Sequence, residues 1–238
     1  MKQLKRILKV FFGIIIFLTL PSLLFFGFLY IRYDKDLPSG TKGKMADELA
    51  INMLKSLNHD AYLSTDYIEW TFKGRQHYKW YKSADSCEVQ WNDFKVMLHL
   101  KKPSLSSVYV AKQKYEGTDK QKLIGKAEAY FNNDSFWIAA PYKVFDKGTE
   151  RRLVKTDKDE DALLVTYTSG GSTPGDSYLW HFDREGKPKS YQMWTDLLPI
   201  DGLEASWSDW KTTKSGAELP TFHKILFLNL EITNLKTN

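Results

Sequence analysis

The sequence predicts an α+β protein, mainly antiparallel β, with one N-terminal transmembrane helix followed by a curved half-barrel of about eleven strands. The first observation behind this prediction is an apolar, uncharged run at 10–31. The second is that most segments after residue 65 alternate apolar and polar residues, which is typical of half-buried strands. Because a sheet of ten or more strands curls or closes, we expect helices to cover part of its concave face.

The apolar run predicts a membrane anchor. As a helix, 10–31 would extend over roughly 33 Å, which matches a bilayer core. The run is longer than the apolar core of a cleaved signal peptide, and no small-residue cleavage site follows it. Four Lys or Arg and no acidic residues precede it, whereas Arg32 and Lys35 beyond it are offset by Asp34 and Asp36. The positive-inside rule therefore predicts a cytoplasmic N-terminus.

These signals predict four segments. They are a cytoplasmic basic tail at 1–9, a transmembrane signal-anchor at 10–31, a polar linker at 32–44 and an exported half-barrel at 45–238. The predicted location is the inner (cytoplasmic) membrane, with the C-terminal domain in the periplasm or outside the cell. The sequence does not decide whether the N-terminal segment is cleaved.

The exported part begins with a helix and continues with strands. "MADELAINMLKSLN" (45–58) places its apolar residues near one helical face. Around 120–146 the alternation stops, and we expect a helical stretch followed by a short apolar segment with Asp134 as its N-cap and Pro141 at its end. The predicted strands are "TDYIEWTFK", "QHYKWYK", "FKVMLHLKK", "SVYVAKQK", "RRLVKT", "ALLVTYT", "SYLWHFD", "KSYQMWT", "LEASWSDWK" and "HKILFLNLEITNL".

Composition argues against several functional classes. The formal net charge is +5, but residues 1–36 carry six basic and two acidic residues, and the remaining 202 carry 28 and 27. Most of the excess positive charge therefore lies next to the predicted anchor, where it determines membrane orientation. The rest of the chain is nearly neutral, and we expect no nucleic-acid partner. The single cysteine, Cys87, allows no disulfide within the chain. The five histidines show no metal-ligand spacing, so we expect no metal and no cofactor.

The stretch "GGSTPGDS" (170–177) has the spacing of a phosphate-binding loop except at one position. Asp176 stands where such a loop has its lysine, and the segments on both sides alternate like strands. Gly170, Gly171, Pro174 and Gly175 suit tight turns. The stretch is therefore interpreted as a hairpin, at the rim of the cavity if one exists.

A hydrolytic serine is the catalytic alternative. Ser177, with Ser169 and Ser172 before it, lies near His181 and Asp183, so all three residue types of a serine triad are close in sequence. The Gly-x-Ser-x-Gly turn between a strand and a helix is missing. A non-catalytic protein is therefore the main expectation.

Aromatic residues are the most distinctive feature, with 8 Trp, 13 Tyr and 14 Phe. One interpretation is that they fill the core of a twisted sheet, and the other is that some line an apolar cavity. A long acyl chain suits such a cavity, because each buried CH₂ contributes about 0.8 kcal/mol. The residues expected to line it are Trp70, Phe72, Trp80, Phe136, Trp137, Tyr142, Trp180, Trp194 and Trp207.

This layout resembles the LolA/LolB/RseB type of lipoprotein-carrier fold over roughly 45–235. Two blocks, "NDSFWIAAPYKVFDKGTERRLV" and "LLVTYTSGGSTPGDSYLWHFDREGKPKSYQMW", are also similar to a family of exported Bacteroidota proteins that has no established activity. The carrier resemblance implies a lipid or lipoprotein acyl chain as ligand. Carriers of this type shuttle freely, whereas this chain is expected to be tethered, which favours a sensor, a docking protein or a local lipid handler.

Three hypotheses follow from the sequence. The leading one is a membrane-anchored envelope protein that binds a lipid, acyl chain or other apolar ligand in the concave face of the half-barrel. The first alternative is an envelope scaffold or interaction domain without a small ligand, whose protein partner the sequence does not identify. The second is a hydrolase using Ser177, His181 and Asp183.

Overall fold

The computed structural model describes residues 2–169 and 173–238. The helices in these residues are α1 (Lys2–Tyr33), α2 (Lys44–Ser56), α3 (His59–Ser64) and α4 (Lys120–Ala139), with short 3-10 helices at Pro103–Leu105 and Ala140–Lys143. α1 is long and apolar enough to cross a membrane, and it lies near the N-terminus as both a single-pass anchor and a signal sequence would.

Strands make up most of the remaining chain. They are β1 (Tyr67–Phe72), β2 (Gln76–Tyr81), β3 (Ser86–Trp91), β4 (Phe94–His99), β5 (Ser107–Val110), β6 (Gln113–Tyr115), β7 (Thr149–Lys155), β8 (Asp161–Tyr167), β9 (Ser177–Phe182), β10 (Pro188–Trp194), β11 (Leu203–Ser206), β12 (Lys211–Thr212), β13 (Glu218–Leu219), β14 (Phe222–Ile225) and β15 (Leu228–Thr237).

Thirteen of these strands form one curved antiparallel sheet that does not close. Its order is β6-β5-β4-β3-β2-β1-β15-β14-β11-β10-β9-β8-β7, and β12 and β13 pair separately. β15 lies between β1 and β14 and joins an N-terminal half, β1–β6, to a C-terminal half, β7–β11 with β14. The predicted class, an α+β half-barrel with covering helices, is confirmed.

Two helices, α2 and α4, cover most of the concave face of the sheet. α4 packs on β3, β4 and β5, and α2 packs on β7 and β8. In β1 and β3 every second residue is buried. One apolar cluster runs under both helices and links the two halves. The alternation seen in the sequence therefore corresponds to a buried concave face and a more polar convex face.

The central helix differs from the prediction. α4 is continuous from Lys120 to Ala139, so Asp134 lies inside a helix and is not an N-cap. Its side chain is buried, and it accepts hydrogen bonds from the Tyr78 hydroxyl and the Asn133 amide. Burial raises the pKa of Asp134, although both hydrogen bonds oppose that effect. The hydrogen-bond partner of this buried carboxylate, Tyr78, lies on a distant strand, so the local sequence around Asp134 does not predict it.

The segment after α1 is packed against the convex face of the sheet. Residues 34–41, here called the strap, pair with β7 through Thr41 and Leu153. The Trp194 indole donates a hydrogen bond to the Lys35 carbonyl at 2.8 Å. Gly202 has φ +72°, and a Cβ there would lie 2.8 Å from the Lys35 Cβ. The polar linker expected at 32–44 thus includes a hydrogen-bonded segment.

Candidate functional site

In the N-terminal half of the concave face, aromatic side chains pack directly against α4. Trp70 and Phe72 on β1 are buried, and Trp70 stacks on Tyr78 with ring centroids 4.6 Å apart. Trp80 on β2 is half-buried and meets Phe131 of α4 edge to face at 5.3 Å. Their packing, together with the bond between Tyr78 and Asp134, fixes α4 on this half of the sheet.

A second aromatic group lies in the C-terminal half and is here called the aromatic nest: Trp137, Trp180, Tyr191, Trp207 and His223. Trp180, Tyr191 and Trp207 project from the concave face, and their ring centroids lie 4.9–5.3 Å apart. Trp137 of α4 covers them, at 5.7 Å from Tyr191 and 5.1 Å from His223. The four residues from the sheet side are fully buried or nearly so, and Trp137 is half-buried.

The aromatic nest contains buried polar atoms without hydrogen-bond partners of normal geometry. They are Trp180 Nε1, Tyr191 Oη, Trp207 Nε1 and His223 Nε2. Leaving such an atom unpaired costs about 1–3 kcal/mol. In the N-terminal half Tyr78 has a partner, and only Trp70 and Trp91 share the unpaired condition within the described residues. The nest therefore offers hydrogen-bonding capacity inside an apolar setting.

His223 is held neutral within this group. Burial lowers the pKa of its imidazole to about 4, although the carbonyls of Ser206 and Trp137 oppose part of the effect. Its Nδ1 lies 3.0 Å from the Ser206 carbonyl oxygen, which places the ring proton on Nδ1 and leaves Nε2 as an acceptor. The nest thus combines two indole donors, a hydroxyl and one imidazole acceptor.

The remaining predicted residues occupy three positions. Phe136 of α4 packs on Tyr178 beside the aromatic nest, at 4.8 Å. Tyr142 follows α4 and donates its hydroxyl to the Leu57 and Glu218 carbonyls, which ties the end of α4 to α2. Trp194 lies on the convex face in a separate cluster with Val154, Ala162, Leu164 and Leu179, so the structure does not bring it together with the other eight.

Sequence reasoning missed two members of the nest. Tyr191 alternates with Ser190 and Gln192 on β10, so strand periodicity alone could have assigned it to the concave face. His223 was counted only as a metal-ligand candidate. Its alternation with Phe222 and Lys224 on β14 was a weak signal, because its partners Trp137 and Trp207 come from distant parts of the chain.

The stretch at 170–177 connects two strands, as predicted. β8 and β9 pair antiparallel, and Gly175 N–H donates to the Tyr167 carbonyl. Gly170, Gly171 and Ser172 lie outside the described residues. Asp176 is buried and accepts hydrogen bonds from the hydroxyls of Thr173, Tyr178 and Thr195. This carboxylate therefore organises the end of the hairpin from within.

The structure does not assemble the serine triad. Ser177 and His181 are four residues apart on β9, a separation of about 13 Å along an extended strand. The Ser177 hydroxyl pairs with Thr166 at 2.8 Å, and His181 lies 3.4 Å from Gln192 Oε1. Asp183 accepts two backbone N–H groups in the turn that follows. The hydrolase hypothesis was wrong about this group, because a strand holds the three side chains apart.

Comparisons with known proteins add little detail. Neither a scan against protein-family models nor a search of curated proteins found a match. Among solved structures, a DUF1329 family protein from Desulfovibrio piger is similar, with a TM-score of 0.43 and 10% sequence identity. The match covers 83% of this chain and 94% of that one. A likeness at this level assigns no role to any residue.

Proposed function

We propose that the chain is a non-catalytic, single-pass envelope protein whose concave face binds the acyl chain of a lipid or lipoprotein. In this proposal 1–9 is the cytoplasmic tail, 10–31 the anchor, 32–44 the connection and 45–238 the periplasmic domain. The buried polar atoms of the aromatic nest, which have no hydrogen-bond partner of normal geometry, carry the proposal. Indole N–H groups and the Tyr191 hydroxyl are suited to the carbonyl oxygen of an ester or amide, beside an apolar chain.

The ligand would enter by displacing part of α4. Phe136 and Trp137 are the side chains of α4 that cover the nest, and Trp137 is half-buried. The same helix is attached to the N-terminal half through Asp134 and Tyr78. An acyl chain that replaces Trp137 would contact the apolar surface and the buried indole and hydroxyl groups, while α4 keeps its attachment to the N-terminal half of the sheet.

The test uses an uncharged probe, a fluorescent monoacylglycerol, with the full chain in mild detergent. We expect saturable binding that falls at least tenfold in Trp207→Leu. Trp194→Leu, the same substitution on the opposite face, is the matched control and should bind as the wild type does. Because Trp207→Leu can perturb folding, the milder Trp137→Leu is measured as well, with thermal unfolding of every variant. Equal affinity in all the proteins would contradict the proposal.

A second candidate function is an interaction domain without a small ligand. It is favoured by the extent to which α4 already fills the face, since Trp70, Trp180 and Trp207 are fully or almost fully buried. This function requires no movement of α4. The monoacylglycerol experiment separates the two: no saturable binding, together with a reproducible protein crosslink in the intact envelope, would support the interaction domain.

The membrane arrangement has its own test. Full-length chain should resist extraction from membranes by alkaline carbonate and remain in the membrane fraction at its full length. Protease added from the periplasmic side should digest the domain and spare the N-terminal tail. Release of a shortened, soluble chain would instead identify α1 as a cleaved signal.

A further inference from the structure

A cavity lies on the convex side of the sheet, opposite the aromatic nest, where α1 ends. It has a volume of about 480 Å³ and is here called the juxtamembrane cleft. One wall is the end of α1 and the start of the strap, and the other is the convex face of β10, β11 and β14. Its lining residues are Arg32, Tyr33, Lys35, Ser190, Gln192, Gly202, Glu204, Ser206, Phe222, Lys224 and Leu226.

The charge of the cleft is predominantly positive. Arg32, Lys35 and Lys224 line it, and none of the three side chains forms a salt bridge with another described residue. The only acidic lining residue is Glu204, which accepts a hydrogen bond from the Ser190 hydroxyl. Three cations that form no salt bridge, against one lining carboxylate, are suited to a phosphate group, which Arg and Lys bind through charge-assisted hydrogen bonds.

The position of the cleft along α1 matches the headgroup layer of a bilayer. The apolar run ends at Ile31, and the lining begins at Arg32. On the membrane side of the cleft, the turn between β14 and β15 projects toward α1. Phe227 in that turn has 66% of its surface exposed, and its ring centroid lies 6.4 Å from that of Phe25. Phe25 lies about 12 Å below the end of α1, within the apolar run.

The turn between β14 and β15 combines an unfavourable backbone conformation with exposed apolar side chains. Leu226 has φ 53°, a left-handed conformation that normally favours Gly or Asn in a two-residue hairpin. Leu228, which follows, is also about half exposed. Exposed apolar side chains in this turn would gain from apolar surroundings, which acyl chains beside a membrane-spanning α1 would supply.

We propose that the juxtamembrane cleft binds the phosphate headgroup of an anionic phospholipid, with the acyl chains lying between α1 and the turn at Leu226–Leu228. This inference rests on the membrane placement of α1 proposed above, and it involves the face of the sheet opposite to the aromatic nest. It orients the domain on the bilayer surface, because one lipid contacts the anchor and the sheet together.

The test is native mass spectrometry of the full chain in detergent with equal amounts of phosphatidylglycerol and phosphatidylcholine of matched chains. We expect a preference for phosphatidylglycerol that falls about tenfold or more in Lys35→Glu/Lys224→Glu. Lys35→Gln/Lys224→Gln should show a smaller loss in the same direction. The control is Lys122→Glu, an exposed position on α4 over the concave face, which should keep the wild-type preference.

Three outcomes would overturn the inference. The first is an equal retention of both lipids by the wild type, and the second is an unchanged preference in the double variants that thermal unfolding shows to be folded. The third is complete displacement of phosphatidylglycerol by millimolar inorganic phosphate, which would show that the cleft takes a free anion. Monoacylglycerol binding is measured on the same variants, so that failure at the cleft is distinguishable from failure at the nest.

Discussion

The two faces of β10, β11 and β14 differ in chemistry although they are made of adjacent residues. Ser190 and Tyr191 are neighbours in sequence, yet the first lines the juxtamembrane cleft and the second the aromatic nest. The same holds for Ser206 and Trp207. Strand alternation therefore separates a charged, open surface from a closed aromatic one across the thickness of a single sheet. Substitutions at adjacent positions can test each face independently.

The largest expected effect comes from the aromatic nest. Trp207→Ala removes a fully buried indole that contacts five other rings, and we expect it to lower the free energy of unfolding by about 3–5 kcal/mol. Lys224→Ala on the convex face removes an exposed side chain without a salt bridge and should change it by less than about 0.5 kcal/mol. Denaturant unfolding of the full chain in detergent measures both. Similar effects at the two positions would show that the faces are not distinct.

His223 should make the nest sensitive to acid. The pKa of His223 in the folded protein is lowered to about 4, so between pH 6.5 and 4 the unfolded chain takes up a proton that the folded one does not. Stability is therefore unaffected above pH 6.5 and falls as the pH drops through this window. At pH 4.5 the loss is on the order of 2 kcal/mol. His223→Gln should abolish that share, and an identical pH dependence in both proteins would refute the assignment.

Two tyrosines on the concave face, one in each half, are expected to respond differently to the loss of the hydroxyl group. Tyr78→Phe removes the partner of buried Asp134, and we expect a loss of about 1–3 kcal/mol. Tyr191→Phe removes a hydroxyl that has no partner of normal geometry, so its stability should be unchanged or slightly higher. Thermal unfolding of the two variants decides between these outcomes. A marked loss in Tyr191→Phe would reveal a hydrogen bond within the nest.

The smallest effect on stability is expected in the juxtamembrane cleft. Lys35→Gln and Lys224→Gln remove exposed side chains without salt bridges, and each should change the unfolding free energy by less than about 0.5 kcal/mol. Removing two of the three lining cations in the double variant should nevertheless alter lipid preference. A large loss of stability in detergent without phospholipid would indicate that these lysines act within the fold.

The sequence predicted the architecture better than the details of its sheet. Apolar alternation identified most strands, but β3 was overlooked although Cys87, Val89 and Trp91 alternate there with polar residues. The last segment was taken as one strand. It contains β14 and β15, and the turn between them, at Leu226 and Phe227, has none of the Gly, Asn or Pro residues that normally indicate a hairpin.

The sites were less predictable, for physical reasons. Trp180 could be assigned to the correct face, because it alternates with Leu179 and His181 on β9. The placement of Trp194 on the opposite face was missed although strand alternation predicts it, because Trp194 continues the series of Ser190 and Gln192 on β10 and not that of Tyr191. The cleft depends on where α1 and the strap meet the sheet, a long-range arrangement that local patterns do not determine.

The most direct test of the central claim is photolabelling with an uncharged, diazirine-bearing monoacylglycerol followed by peptide mapping of the full chain. The account predicts labelled positions on α4 around Phe136 and Trp137 and on β9–β11, with labelling reduced in Trp207→Leu and unchanged in Trp194→Leu. Labelling confined to α1 and the turn between β14 and β15 would mean that the probe remains in the detergent or membrane phase, and it would contradict an acyl-chain site on the concave face.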